Sequence, residues 1–265
     1  MTTTTNRYDG RRVLVTGAGS GIGQATVLRM LAEGGRVVGA DISEAGLADT
    51  VAKAGEHADR LDVVTMNIAD EESVRGGVGA AVERLGGLDA LVNAAGILRS
   101  SHTEQTTLES FEQVVRINLV GTFLVIREAL PALLEGRGAA VVNFSSTSAM
   151  FAHPYMAAYA ASKGGVQSMT HALAAEYAGR GVRFTAVQPG SISSGMTDGS
   201  GASRQSMGPG LPEDADMRLF AKLQPALGSG FAGPETVASV VAMLASDDGA
   251  FITGTEVRID GGTHF

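Results

Sequence analysis

The chain has 265 residues, 44% of them from the hydrophobic set and 18% charged, which is ample material for a large core and argues against disorder. A net charge of −8 argues against a general nucleic-acid or anionic-membrane binder. The absence of cysteine excludes a disulfide framework, a thiol nucleophile and a thiolate zinc site, and makes a reducing cytoplasm the expected setting.

The opening "MTTTTNRYDG" is polar and reads as a flexible tail over residues 1–9, ahead of a single domain over 10–265. It does not read as a signal peptide, and no run of 18 apolar residues suggests a membrane span. The first strand is expected over 11–17, followed by a glycine-rich turn and a helix over 22–33. A strand over 36–41, a helix over 44–54, a strand over 61–67 and a helix over 70–86 come next. "LDALVNAAG", residues 88–96, begins as a strand, and a long apolar helix is expected over 108–135. A strand over 139–146, a helix over 157–179 and a strand over 182–190 follow. A helix over 234–245 and a strand over 256–260 close the pattern.

Short, valine-rich strands alternating with helices predict an α/β fold: one doubly wound, Rossmann-like parallel sheet of about seven strands, covered by helices on both faces. In such sheets the ligand crevice lies at the carboxyl ends of the strands. Residues 191–233 break the alternation. Rich in Gly, Ser, Pro and Met, they read as a substrate lid, with a short helix expected over 212–223.

The turn "TGAGSGIG" places glycines at 17, 19, 21 and 23, which does not match G-x-G-x-x-G cleanly. The physics is the same: glycines let the backbone approach a pyrophosphate, and a helix starting near Ile22 offers free N–H groups to it. Asp41 ends the second strand 24 residues past Gly17, where a carboxylate can bind ribose hydroxyls and repel a 2′-phosphate. NAD is therefore favoured over NADP, although an S-adenosylmethionine site would also want an acid here. Asn67 stands where an adenine amino group can be read, and "NAAG", residues 93–96, joins a polar anchor to small residues that admit a flat ligand. In "YAASK", Tyr159 and Lys163 are four residues apart and leave one face of a helix.

These stretches occur in order with "INL" (117–119), "SS" (145–146) and "PGSIS" (189–193), and together the chain resembles a short-chain dehydrogenase/reductase over about residues 10–262. The resemblance implies a catalytic tetrad of Asn118, Ser146, Tyr159 and Lys163. The family's serine stands thirteen before its tyrosine, which selects Ser146 over Ser145. It implies that Tyr159 acts as general acid and base, its pKa lowered by the Lys163 ammonium and by a positive nicotinamide ring, while Ser146 holds the substrate oxygen and Asn118 a relay water. It implies cofactor contacts from Gly17, Gly19, Ser20, Gly21, Ile22, Asp41, Ile42, Asn67, Ile68, Asn93, Ala94, Ala95 and Gly96. Tyr159, Lys163, Pro189, Gly190, Ile192 and Ser194 complete that set. Ser194 stands where the family often has threonine.

The substrate pocket is expected to involve Leu98, Thr147, Ser148, Phe151, His153, Pro154, Met156, Gln188 and Met196, beside Ser146 and Tyr159. These are mostly small or apolar, so a hydrophobic secondary alcohol or ketone is expected, cyclic or steroid-like. The competing readings are a 3-oxoacyl carrier-protein reductase using NADPH, against which Asp41 and the acidic balance count, and a dinucleotide-binding sensor without turnover. The histidines show no metal-ligand spacing, and no metal is expected. The family resemblance also implies dimers paired into a homotetramer, the long helix meeting a second subunit.

Overall fold

The computed structural model describes residues 6–194, 196, 210–221, 223–228 and 230–264. Seven parallel strands form one sheet: β1 (Arg12–Thr16), β2 (Arg36–Asp41), β3 (Leu61–Thr65), β4 (Ala90–Asn93), β5 (Ala140–Phe144), β6 (Arg183–Pro189) and β7 (Thr255–Ile259). Their order is β3-β2-β1-β4-β5-β6-β7. The chain builds outward from β1 to β3, then crosses back to lay β4 on the other side of β1, with Val13 opposite Ala90 and Thr16 opposite Asn93. That reversal leaves the carboxyl ends of β1 and β4 without a connection running over them, which opens a crevice there.

Helices α1 (Gly21–Ala32), α2 (Glu44–Ala54) and α3 (Glu71–Leu85) follow the first three strands. Then come α4 (Leu108–Val115), α5 (Thr122–Leu134), α6 (Ala157–Tyr177) and α7 (Pro234–Leu244). One core layer joins Val27, Met30 and Leu31 of α1 and Leu47 of α2 to Val237 and Val241 of α7, over Val13, Val15 and Val92 of the sheet. The opposite layer joins Val74 and Val78 of α3 to Leu124, Ala129 and Leu133 of α5 and Ala174 of α6, over Leu14, Leu91 and Val141. The central strands are apolar on both faces, as their valine content predicts. The edge strands β3 and β7 are only partly covered, because each lacks a neighbour on one side.

Three expectations change. Residues 6–9 are not a free tail: Tyr8 is fully buried and donates its hydroxyl to the Ala242 carbonyl at 2.8 Å, and Arg7 pairs with Glu33 at 2.7 Å. Residues 1–5 lie outside the described set. The long helix is not uniform, since a π turn over Arg116–Gly121 joins α4 to α5. The joined stretch Leu108–Leu134 is 27 residues long and, by length and composition alone, apolar enough to cross a membrane. Here its apolar side chains Leu124, Val125, Ile126, Ala129 and Leu133 are buried in the protein core. The helix expected over 212–223 reduces to one 3-10 turn, Met217–Phe220. Residues 197–209 of the expected lid lie outside the described set.

At the amino ends of β1 and β4, Asp89 fastens the sheet. It accepts from Arg12 Nη2 at 2.8 Å, from Arg12 Nε and the Arg12 backbone N–H at 3.0 Å each, and from the Arg137 N–H at 2.8 Å. Burial alone would raise the Asp89 carboxyl, but these donors outweigh it and hold its pKa below the usual aspartate value. Its contribution is therefore complete above an ordinary aspartate pKa of about 3.9 and is lost as pH falls through the depressed folded-state value. Asp89→Ala should cost about 3 kcal/mol at neutral pH, measured by chemical denaturation. The gap between variant and wild type should close in acid.

Candidate active site

The crevice is a cleft of about 530 Å³ above the carboxyl ends of the strands. Its floor is the turn between β1 and α1. Gly17 (φ +71°) and Gly21 (φ +52°) occupy the left-handed region that glycine tolerates. A Cβ on Gly17 would stand 2.7 Å from the Ala95 nitrogen, and one on Gly23 2.0 Å from the Gly17 carbonyl oxygen. Ser20 caps α1 without a side-chain bond, so first-turn N–H groups of α1 have no capping partner from it. Gly17, Gly19, Ser20, Gly21 and Ile22 all line the cleft.

Asp41 lies beside this turn. Its Oδ2 accepts from the Gly19 N–H and its Oδ1 from the Ser43 N–H, both at 2.9 Å, which leaves one lone-pair direction on each oxygen. The nearby Lys53 is occupied elsewhere, by Asp49 at 2.7 Å and Gln24 Oε1 at 2.9 Å. Ile42, Asn67, Ile68, Ala94, Ala95 and Gly96 line the next part of the cleft, and Pro189, Gly190, Ile192 and Ser194 the far part. Asn67 keeps its place in the cleft, its Oδ1 accepting from the Ala69 N–H at 3.0 Å with one lone pair left. One expected anchor is spent differently: Asn93 does not line the cleft and is buried, donating to Asn143 Oδ1 at 2.9 Å. The glycine floor, the uncapped helix start and the acid at the end of β2 fit the phosphates and ribose of a dinucleotide.

Beyond Gly96 the cleft meets α6. Ser146 and Tyr159 both line the cleft, and Ser146 lies close enough to bear on the phenol, whereas Ser145 donates to the Lys163 carbonyl at 3.1 Å. Lys163 Nζ donates to the Phe144 carbonyl at 2.7 Å and stands 5.7 Å from the Tyr159 ring centroid. Burial pushes the phenol up to about 12, with the Ser146 hydroxyl opposing in part. Burial pushes the lysine down to about 8. In the protein without cofactor, burial therefore outweighs the groups that favour the phenolate and leaves the phenol above its ordinary value.

Asn118 sits in the π turn, an irregularity that turns its side chain into the protein. Its Oδ1 accepts from the Ile97 N–H at 2.8 Å, and its Nδ2 donates to the Ile97 carbonyl at 2.9 Å and to Ser162 Oγ at 3.0 Å. Both Nδ2 hydrogens are thus used, Oδ1 keeps one lone pair, and the side chain does not line the cleft. It pins the strand-end loop after Gly96 to α6.

Leu98, Thr147, His153, Met156 and Met196 line the substrate end as expected, with Ser146 and Tyr159. Ser148, Phe151, Pro154 and Gln188 do not. Ser148 donates its N–H to Ser146 Oγ at 3.1 Å, and Gln188 pairs with Gln167 at 2.8 Å. His153 lines the cleft, but both ring nitrogens have partners, Thr147 Oγ1 and the Phe151 carbonyl, each at 3.2 Å. Desolvation lowers its pKa, which keeps it neutral. Leu211, Met217, Phe220, Leu223 and Phe231, from the stretch expected as the lid, line the cleft too, whereas sequence reading missed Ile117, Thr263 and His264. The last two follow β7, and the rule that strand ends face the crevice would have found them.

A family model described as short chain dehydrogenase matches residues 11–205. The chain is 37% identical over 256 residues to the 3-oxoacyl-[acyl-carrier-protein] reductase of Thermotoga maritima, spanning 97% of this chain and 98% of the relative. It is 38% identical over 261 residues to the levodione reductase of Leifsonia aquatica, spanning 97% and 96%. Among solved structures, it matches a short chain dehydrogenase from Mycobacterium paratuberculosis bound to NAD, with a TM-score of 0.88 and 31% identity over 97% of this chain and 98% of that one.

Removing the Asn118 amide leaves the Ile97 N–H and carbonyl without their partner. Asn118→Ala should lower stability by about 2–3 kcal/mol, read from denaturant midpoints at constant slope.

Proposed function

The chain belongs to the short-chain dehydrogenase/reductase family, oxidoreductases acting on CH–OH groups, and from that premise we propose that it transfers a hydride between NAD(H) and a hydrophobic secondary alcohol or ketone. The observation that carries this reading is that Ser146, Tyr159 and Lys163 line one end of a glycine-floored cleft. Asp41 supports NAD over NADP: its two oxygens are aligned by backbone N–H groups at the rim of the cleft, where a carboxylate repels a 2′-phosphate. The apolar lining, with Leu98, Met156, Met196, Leu211, Met217 and Phe220, supports a hydrophobic substrate, cyclic or steroid-like.

The nicotinamide cofactor supplies the hydride acceptor or donor and, when oxidised, a positive ring. In reduction, Tyr159 begins protonated, as a phenol pushed up to about 12 must be at neutral pH, and it gives its proton to the developing alkoxide. Ser146 donates to the same substrate oxygen and orients it. In oxidation, Tyr159 must take the alcohol proton. Bringing its pKa from about 12 to about 8 needs about 5 kcal/mol of differential stabilisation, which the protein without cofactor does not supply. A charged Lys163 would contribute to it beside the positive ring of a bound oxidised cofactor. Lys163 also holds the nicotinamide ribose.

The second reading, a 3-oxoacyl carrier-protein reductase using NADPH, is favoured by the likeness to the Thermotoga relative. Asp41 opposes it. We place the protein in the cytoplasm as a homotetramer of paired dimers. The outer side of α4 and α5, where Leu108 and Phe123 are exposed, is the face offered to a second subunit.

Tyr159→Phe should reduce turnover of a ketone panel by at least about a thousandfold while NADH fluorescence still reports binding. Substantial residual activity would remove Tyr159 from the proton step. Wild-type oxidation should rise with pH through an ionisation well below that of the phenol in the protein alone. Asp41→Ala should shift the kcat/KM ratio from NAD towards NADP by about tenfold or more. An unchanged ratio would mean that Asp41 does not touch the ribose, and efficient NADPH-dependent turnover of a 3-oxoacyl thioester by the wild type would favour the second reading.

A further inference from the structure

One wall of the substrate end is not held by the sheet. Residues 210–221 contribute Leu211, Met217 and Phe220 to the cleft, yet their only regular structure is a single 3-10 turn. Their fastenings are polar and reach two other loops. The Asp216 backbone N–H donates to the Tyr155 hydroxyl at 2.9 Å. Asp214 Oδ1 pairs with His102 Nε2 at 2.8 Å. The Tyr155 ring lies 6.1 Å from that of Phe220, stacked, and 5.1 Å from that of His102, edge-on. The Tyr155 carbonyl accepts from the Ser101 N–H at 2.9 Å.

Tyr155 is also the one non-glycine with positive φ among the described residues, at +64°. That conformation costs an L-residue about 1–2 kcal/mol, so the contacts around it must hold it. It immediately precedes Met156, the N-cap of α6, the helix that carries Tyr159 and Lys163.

We propose that Tyr155 is a positioning residue that fastens residues 210–221 as the apolar wall of the substrate site, with the His102–Asp214 pair as a second, ionic fastening. The kinetic part rests on the oxidoreductase reading; the fastening itself does not. Leu211 and Phe220 also pack against the buried cluster that includes Leu98, Met156 and Tyr159, but no part of the wall is a strand of the sheet, so it can open for a bulky substrate without disturbing the sheet. The ionic fastening depends on pH. Asp214 faces His102 from the wall, Glu104 from its own turn and the neutral Tyr155 ring from the loop before α6, and the Asp214 hydrogen bond raises the histidine's pKa. The pair is therefore complete below the ordinary histidine pKa of about 6.5 and is lost as pH rises through the raised value.

The test is tryptic cleavage of the full chain after Arg218, whose side chain is 92% exposed, combined with steady-state kinetics. Tyr155→Phe removes one oxygen. It should speed cleavage after Arg218 by about two- to tenfold and raise the KM for an apolar ketone by a similar factor, with kcat and NADH binding unchanged. Unchanged cleavage and KM would overturn the proposal, as would parallel losses of kcat and NADH binding, which mark general damage to α6. Asp214→Asn should speed cleavage relative to wild type at pH 6, with the difference vanishing at high pH; a difference independent of pH would remove the ionic fastening. If the wild type turned over no ketone, the functional reading would fail and the cleavage rates would still decide the fastening.

Discussion

The backbone of Gly17 lies so close to Ala94 and Ala95 that a Cβ on it would stand 2.7 Å from the Ala95 nitrogen. That approach is possible because β1 and β4 are neighbours at the reversal of strand order, with their carboxyl ends level. Everything at the site is referred to it. The turn through Gly17 and Gly21 starts α1 with first-turn N–H groups open, and it sets Asp41 within hydrogen-bond distance of Gly19. On the other side of the same contact, Gly96 leads into the loop that Asn118 pins to α6. The cofactor half and the catalytic half of the cleft thus share one close backbone contact.

The electrostatics of the catalytic half point to a division of labour between protein and cofactor. Burial keeps the Tyr159 phenol protonated and discharges Lys163 in part, so the protein alone is set as a proton donor. On the proposed reading a bound oxidised nicotinamide would supply the missing positive charge, and proton acceptance by Tyr159 would then depend on a cofactor able to accept hydride. A fixed phenolate–ammonium pair would instead keep the base charged at all times.

The strand-end rule and the valine-rich strands made the sheet legible, and the thirteen-residue step from Tyr159 back to Ser146 identified the serine that reaches the phenol. What escaped was set by tertiary partners. Nothing in "NAAG" says that Asn93 bonds Asn143 beneath the cleft, because the two are 50 residues apart. The π turn at Asn118 breaks a helical pattern that apolar periodicity reads as continuous. Tyr8 looked like part of a polar tail because its partner, the Ala242 carbonyl, lies 234 residues away. Lysine-to-tyrosine spacing fixed the helix face but not where the ammonium points, towards the Phe144 carbonyl, nor the depth of burial that raises the phenol in the protein alone.

The most direct measurement is a spectroscopic titration of tyrosinate, in wild type and Tyr159→Phe, with and without saturating NAD. One tyrosinate should appear near pH 8 in the wild type with NAD, and should be missing from the variant and from the protein alone, where the phenol is pushed up to about 12. A wild-type phenol that stays protonated with NAD bound as it does without would contradict the account.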